Sequence, residues 1–211
     1  MKKIKLLLVC GSWSSGTTAV SGMLHAMDIP SVPPYFTTRD ERTKVTYESM
    51  LFRNTLRELI NEEGLKVTAD HKKIIEALHA FKLKLEEYFK DRQEETIQVF
   101  MKDPLAAFIL PEICSVFQTQ LIYVLRPLKD IEETRKRRMW FDHLGEKGAK
   151  VVYSKLFSVM LNYSIPTMII KYPELIKAPK VIAGALAQFC KIKDASKVEL
   201  AASFVIDHKK V

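Results

Sequence analysis

The chain has 211 residues, 47% of them hydrophobic, and a formal net charge of +8 at pH 7. This length and composition suit one folded domain with a substantial core, and they exclude a disordered or low-complexity chain. The positive charge favours anionic ligands in general, among them nucleotides, acidic glycans and nucleic acids. We therefore expect a single domain, residues 1–211, with an anionic partner.

The predicted elements alternate between short apolar runs and longer amphipathic stretches. Strands are predicted over residues 4–9, 96–101, 120–125 and 167–171. Helices are predicted over residues 17–27, 47–63, 71–92, 105–117, 129–139, 147–163 and 179–191. Strands separated by helices indicate a central parallel sheet in a three-layer α/β/α fold. Residues 28–95 lack a convincing strand and are predicted to be a helical insertion over the strand ends, where substrate choice usually resides.

The cysteines and the apolar runs indicate the cellular compartment in which the protein is expected. Cys10, Cys114 and Cys190 lie far apart and form no CxxC pair or Cys/His cluster, which predicts free thiols, a reducing compartment and no metal site. The apolar run at residues 4–9 is shorter than the roughly 7–15 residues of a secretion-signal core, and no run approaches the ~18 apolar residues of a membrane helix. We therefore expect a cytoplasmic protein without an integral membrane segment.

The loop between the first strand and the first helix carries the most informative motif. It reads Gly11-Ser12-Trp13-Ser14-Ser15-Gly16-Thr17-Thr18. Glycines let the backbone curl around an anion, and the first N–H groups of a helix lack intrahelical partners, so the segment 12–18 is predicted to bind a phosphate. Gly11 and Gly16 have the spacing of a Walker A P-loop, but Thr17 stands where that motif has its Lys. The loop therefore favours nucleotide-phosphate binding without hydrolysis of a triphosphate.

Charged residues follow two other predicted strands, at the carboxyl ends where parallel sheets bind ligands. Lys102 and Asp103 could supply a cation for a transferring group and a base for an acceptor hydroxyl, although Asp103 before Pro104 also fits a simple helix start. Arg126 follows the next strand, and Thr134 lies eight residues further on. A guanidinium and a hydroxyl make a phosphate clamp, so we predict that these residues converge with the loop.

With these motifs in order, the sequence resembles the sulfotransferase superfamily, whose members use 3′-phosphoadenosine 5′-phosphosulfate (PAPS). The Ser-Gly-Thr-Thr of residues 15–18 is similar to that family's loop for the 5′-phosphosulfate, and Arg126 with Thr134 is similar to its 3′-phosphate element. The Lys-Asp-Pro of residues 102–104 is similar to that of many bacterial members, and residues 171–175 resemble a motif near the family's C-terminus. The resemblance implies PAPS as the donor, adenosine 3′,5′-bisphosphate as the product, and no metal.

The sequence also departs from the family pattern. Cytosolic animal members have a Lys where this chain has Ser14, and a catalytic His where Asp103 or Pro104 stands. Their C-terminal Arg-Lys-Gly loop is absent, and Lys209 and Lys210 could partly replace it. The resemblance implies sulfuryl transfer to a hydroxyl or amine of a small-molecule or glycan acceptor. Lys102 and Asp103 are then the predicted catalytic residues.

Two other interpretations remain open at this stage. One is a catalytically degenerate nucleotide-binding protein of the same fold, which the missing loop Lys favours. The other is a P-loop kinase or phosphotransferase, against which Thr17 argues. Nucleic-acid binding is not predicted, because no recognised fold signature accompanies the charge. The candidate apolar walls of the acceptor pocket are Tyr35, Phe36, Trp140 and Phe141.

Overall fold

The structure is a computed structural model that describes residues 2–38, 40 and 45–208 of the chain. The strands are β1 (Lys3–Cys10), β2 (Tyr35–Thr37), β3 (Val45–Ser49), β4 (Ile60–Asn61), β5 (Lys66–Val67), β6 (Thr96–Lys102), β7 (Gln118–Leu125) and β8 (Thr167–Lys171). The helices are α1 (Thr17–Ala26), α2 (Met50–Arg57), α3 (His71–Tyr88), α4 (Leu110–Val116), α5 (Leu128–Arg138), α6 (Glu146–Asn162), α7 (Tyr172–Lys177), α8 (Pro179–Cys190) and α9 (Ala195–His208).

The central sheet has the strand order β6-β1-β7-β8, and its pairings are all parallel. Strand β1 lies in the interior between two neighbours, and Leu6, Leu7 and Leu8 are fully buried. Such uninterrupted apolar runs are typical of parallel strands covered on both faces. The pairing of Val9 with Lys102 brings the carboxyl ends of β1 and β6 side by side, next to the loop that follows β1.

Helices cover both faces of this sheet and enclose two hydrophobic cores. Alternate residues of β1 point to opposite faces, so Leu6 packs with the core under α3, α4 and α6, while Leu7 packs with the core under α1, α8 and α9. Phe81 and Leu156 are buried in the first core, and Met23 in the second. The predicted three-layer α/β/α arrangement with a central parallel sheet is confirmed.

The insertion predicted to be helical, residues 28–95, contains helices and also short strands. Strand β2 pairs antiparallel with β3, and β4 pairs antiparallel with β5. The helix predicted over residues 47–63 is shortened to α2, because the β-branched and aromatic segment Val45–Ser49 pairs with β2 instead. Helix α3 does lie in this region, so the insertion is mixed rather than helical.

The other predicted elements are recovered with shifted ends. Strand β8 spans the predicted residues, while β6 continues to Lys102 and β7 begins at Gln118. The helix predicted over residues 105–117 is instead a 3₁₀ segment, Pro104–Ile109, followed by α4. Pro111 in the first turn of α4 has no N–H to continue a helix from the preceding turn, which explains the break. Helices α7 and α9 were not predicted.

The cysteines are free thiols. Cys10 and Cys190 are buried, and Cys114 is partly exposed. Burial raises the pKa of the Cys10 thiol and raises the pKa of Cys114 to about 11, so both stay protonated near neutral pH. Within the described residues, no group of three or more His, Cys, Asp or Glu is placed to hold a metal ion. No helix of the described ranges combines the length and apolar character that crossing a membrane requires.

Candidate functional site

A cleft of about 1670 Å³ opens at the carboxyl ends of the sheet strands. The loop after β1 forms its floor, and the ends of β6 and β7 form one side. The residues that line it from the predicted site are Trp13, Ser14, Gly16, Thr17, Thr18, Lys102, Arg126 and Thr134. Ser12 and Ser15 are fully buried and lie behind this lining. The structure therefore brings the predicted loop and both strand ends together.

The loop has a backbone that requires glycine at its last position. Gly16 has φ of 99°, in the left-handed region, and a Cβ there would lie 2.1 Å from the Tyr172 ring. Its carbonyl accepts the N–H groups of Ala19 and Val20, so α1 begins directly after it. The N-terminus of α1 thus opens onto the cleft, where its unpaired N–H groups and dipole favour an anion.

Ser14 links this loop to Arg126. Its backbone carbonyl accepts a hydrogen bond of 3.0 Å from Arg126 Nη1. Its hydroxyl is buried and has no hydrogen-bond partner within the part of the chain that the structure describes. A buried hydroxyl without a partner is costly, so this position suits a ligand that can accept or donate a hydrogen bond.

Two tyrosines contact Arg126, one at its backbone and one at its side chain. Its backbone N–H donates to the Tyr153 hydroxyl at 3.0 Å, and its guanidinium lies 4.8 Å from the centre of the Tyr172 ring. Its Nε is buried and has no hydrogen-bond partner among the described residues, and the Asp130 carboxylate lies 3.9 Å from it. Thr134 lies in the same cleft wall, and its hydroxyl donates to the Asp130 carbonyl at 2.9 Å. The predicted Arg–hydroxyl pair therefore shares one wall of the cleft.

Lys102 places a buried cation beside the first turn of α1. Its ammonium donates to Thr18 Oγ1 at 3.2 Å, to the Thr46 carbonyl at 3.1 Å and to Glu48 Oε1 at 2.9 Å. The side chain is 4% exposed, and it lines the cleft. The cation that the loop lacks at Thr17 is thus supplied from the neighbouring strand.

Asp103 lies behind the cleft lining rather than in it. Its side chain is fully buried; Oδ1 accepts the Leu105 N–H at 2.9 Å, and Oδ2 accepts from Arg57 Nη1 at 2.9 Å. Burial and the nearby Glu48 carboxylate raise the pKa of Asp103 to about 6, and Arg57 opposes that rise. Both of its oxygens are thus engaged by protein donors on the side away from the cleft.

Glu48 lines the cleft as well, and it was not among the residues predicted from the sequence. Its Oε2 accepts from Arg53 Nη1 at 2.6 Å, on the opposite side from Lys102. Burial alone would raise its pKa, but Lys102 and Arg53 outweigh burial and lower the pKa of Glu48. The residue was hidden within a stretch that was predicted to be helical. The available signal was the β-branched and aromatic run that precedes it, which is typical of a strand.

Aromatic and arginine side chains surround the mouth of the cleft. Phe36, Trp140 and Phe141 line it as predicted, whereas Tyr35 does not. Arg138 lies over the Trp140 ring, and its Nε donates to Asp40 Oδ2 at 2.6 Å. The predicted contribution of residues 209 and 210 lies outside the described residues.

Comparisons with known proteins bear on the fold. A scan against protein-family models finds no match, and a search of curated proteins finds none. A sulfotransferase domain from the Synechococcus olefin synthase matches with a TM-score of 0.57 at 19% identity, over 94% of this chain and 77% of that one. A sulfotransferase domain from the curacin biosynthetic pathway gives 0.56 at 20% identity, over 94% and 77%. A sulfotransferase from Mycobacterium tuberculosis gives 0.52 at 13% identity, over 96% and 71%.

These likenesses define the class of protein at the level of fold. The chain has the α/β fold of sulfotransferase domains, matched over nearly its whole length. The resemblance predicted from the motifs at residues 15–18, 102–104 and 126–134 is confirmed to that extent. At these identities a shared fold does not by itself assign an activity, which has to be argued from the site.

Proposed function

We propose that this protein is a PAPS-dependent sulfotransferase that transfers a sulfuryl group to a hydroxyl or amine of a small-molecule or glycan acceptor. One observation carries the proposal: the loop, the Lys102 ammonium and the Arg126 guanidinium meet in one cleft. That arrangement gathers donors for two separate anionic groups, one at the helix N-terminus and one at the β7 end. The fold shared with sulfotransferase domains supports the same conclusion.

The donor set fits a nucleotide with two phosphate positions. The Ser14 hydroxyl and Arg126 Nε are both buried without a hydrogen-bond partner among the described residues, and phosphate oxygens could supply the missing acceptors. In this proposal residues 14–18 hold the 5′-phosphosulfate, and Arg126 with Thr134 holds the 3′-phosphate. Within the loop, the side chains of Ser12 and Ser15 are buried behind the cleft lining, and Trp13 is part of that lining.

The side chains around Lys102 suit an in-line displacement. The acceptor oxygen or nitrogen would form a bond to sulfur as the bond from sulfur to the bridging phosphate oxygen breaks. Lys102 and the N-terminus of α1 would stabilise the negative charge that develops on that bridging oxygen. The acceptor's proton would pass to a carboxylate, and Glu48 has the better position because it lines the cleft. Each Glu48 oxygen already accepts one bond and can accept another.

Asp103, the base predicted from the sequence, has a different setting. It lies behind Lys102, outside the cleft lining, and its Oδ2 accepts from Arg57. The two carboxylates can therefore be compared directly. If Glu48 is the base, Glu48→Gln removes proton transfer while leaving nucleotide binding, whereas Asp103→Asn acts through the shape and charge of the site.

The transfer experiment measures the release of adenosine 3′,5′-bisphosphate from PAPS, with and without a panel of phenols, sugars and amines. We expect Lys102→Ala and Glu48→Gln each to lower kcat by about 100-fold or more, the scale of losing an electrostatic or acid–base group. Lys150→Ala, in an exposed residue of α6, is the matched control and should keep full turnover. Full turnover in both site variants would refute these roles.

The same assay, run in parallel with ATP and Mg²⁺ and beside a measurement of bisphosphate binding, separates the alternatives. A degenerate binder would take up the bisphosphate and give no turnover with any acceptor. A kinase or phosphotransferase would instead bind ATP with Mg²⁺ and release ADP. Thr17 at the Walker A lysine position makes that second outcome the less expected one.

A further inference from the structure

A continuous line of alternating charges runs from the floor of the cleft into the protein. Lys102 contacts Glu48 at 2.9 Å, and Glu48 contacts Arg53 at 2.6 Å. Arg53 also lies 3.9 Å from Asp103 Oδ2, so one guanidinium faces both carboxylates. Asp103 in turn contacts Arg57 at 2.9 Å. The charges come from β3, from α2 and from the end of β6, so side-chain contacts tie the continuous β3–α2 segment to the end of β6.

Two arginines of α2 provide the positive charges that contact Glu48 and Asp103. Arg53 and Arg57 are four residues apart and so lie on one face of the helix. Arg53 is fixed by the Phe36 ring, whose centre lies 4.0 Å from the guanidinium carbon. Arg57 is fixed by Glu62, whose two oxygens accept from Nη2 at 2.9 and 3.1 Å. Each arginine therefore has a second anchor outside the two carboxylates.

Asp103 couples the helix to the strand end. It directly follows Lys102, so the direction of its side chain fixes the peptide at the end of β6. Its carboxylate ties that peptide to α2 through Arg57 and to the following 3₁₀ segment through Leu105. A buried carboxylate needs such partners to remain charged. Without Arg57, Arg53 at 3.9 Å would be the remaining arginine beside Asp103 that offsets the Glu48 carboxylate.

We infer that Arg57, acting through Asp103, is a positioning residue that holds the Lys102 ammonium against Thr18 and Glu48. The inference rests on the proposed function, because it assigns Lys102 and Glu48 to the transfer step. Arg57 is not part of the cleft lining, so its contribution passes through Asp103 rather than through contact with a ligand. Asp103 then belongs to the support of the site.

The test has a readout that does not depend on turnover. A buried ammonium with three acceptors exchanges its protons slowly, so Lys102 Nζ should give a protected ¹H–¹⁵N signal in the wild-type protein. We expect Arg57→Gln and Asp103→Asn each to abolish this signal, and Arg57→Lys to retain part of it. Arg92→Gln, at an exposed arginine, is the control that should leave it unchanged. Amide protection of Leu7 in β1 reports whether each variant remains folded.

Kinetics with PAPS supply the second readout. We expect Arg57→Gln to lower kcat for bisphosphate release by about 10- to 100-fold, the scale of a misplaced catalytic group, while bisphosphate affinity changes less than about threefold. The pH profile of kcat should also shift in Arg57→Gln, because Arg57 favours the ionised form of Asp103. If Arg57 served only to stabilise the fold, Arg57→Gln would lower kcat in proportion to the fraction of folded protein. The pH profile of kcat would then stay unchanged.

The outcomes separate this inference from the proposed function. A Lys102 signal that persists unchanged in folded Arg57→Gln overturns the positioning role, whatever the turnover. Loss of the signal in a protein whose wild type binds the bisphosphate but gives no transfer would support the positioning role and refute the transferase. If Arg57→Gln does not fold, Asp103→Asn gives the same comparison, and a retained signal there overturns the inference equally.

Discussion

At the scale of single residues, the site depends on which of two neighbouring carboxylates faces the cleft. Asp103 is adjacent in sequence to Lys102, which made it the natural candidate for a base. The structure turns it toward Arg57, 46 residues earlier in the chain, and brings Glu48 to the cleft in its place. Side-chain direction at a strand end depends on such distant partners, and the local sequence does not contain them.

The buried Asp103 carboxylate predicts a pH dependence of stability. Its folded-state pKa, about 6, lies above the unfolded value near 3.8, so its contribution to stability is full at low pH and is lost as the pH rises through about 6. Compared with Asp103→Asn, the wild-type protein should therefore gain roughly 2 kcal/mol in unfolding free energy between pH 7.5 and pH 4.5. Urea unfolding of both proteins at the two pH values checks this.

The difference between the two proteins is the informative quantity, because most other titrating groups cancel in it. A difference that is flat between pH 4.5 and pH 7.5 would mean that burial does not raise the pKa of Asp103, and it would contradict this prediction.

At the scale of elements, the loop, α1 and α7 form one packing unit. The ring of Tyr172, the first residue of α7, fills the space above Gly16 and also supports Arg126. The glycine is thus required both by its backbone conformation and by its neighbour. This contact also accounts for the position of the segment 171–175, which the sequence analysis singled out without a structural reason.

We expect two glycine substitutions to change the unfolding free energy in opposite directions. Gly16→Ala should lower the unfolding free energy by at least about 2 kcal/mol, because alanine disfavours a φ of 99° and its Cβ would meet Tyr172. Gly184→Ala is the matched control, in α8 with nothing within 4 Å of the added Cβ, and it should gain up to about 1 kcal/mol. Thermal and urea unfolding measure both, and equal effects at the two positions would contradict this account of the loop.

Elements with a strong local signal were predictable, and those defined by distant pairing were not. Strands β1, β6 and β7 of the central sheet are largely buried apolar runs, so composition alone located them to within a few residues. Part of strand β3 was predicted to be helical, because its pairing partner β2 lies about ten residues earlier and the local sequence does not reveal that pairing. Helix α9 packs against α1 through Phe204 and Gly22, a contact that no local pattern reveals.

At the scale of the whole molecule, the predicted site converged because the topology is simple. Parallel strands end at one edge of the sheet, so residues 11–18, 102 and 126 had to meet once the strands were identified. The sequence could not show which insertion residues would join them. Glu48 and Arg53 enter the cleft from β3 and α2, whose placement over the sheet depends on tertiary packing.

The measurement that tests the central claim most directly is calorimetric binding of adenosine 3′,5′-bisphosphate, compared with ATP and Mg²⁺. We predict micromolar binding that prefers the bisphosphate and weakens at least about 30-fold in Arg126→Ala, the scale of losing charge-assisted bonds to a phosphate. Arg92→Ala, at an exposed arginine, should bind as the wild type does. Absence of bisphosphate binding, or a preference for ATP with Mg²⁺, would contradict the sulfotransferase assignment.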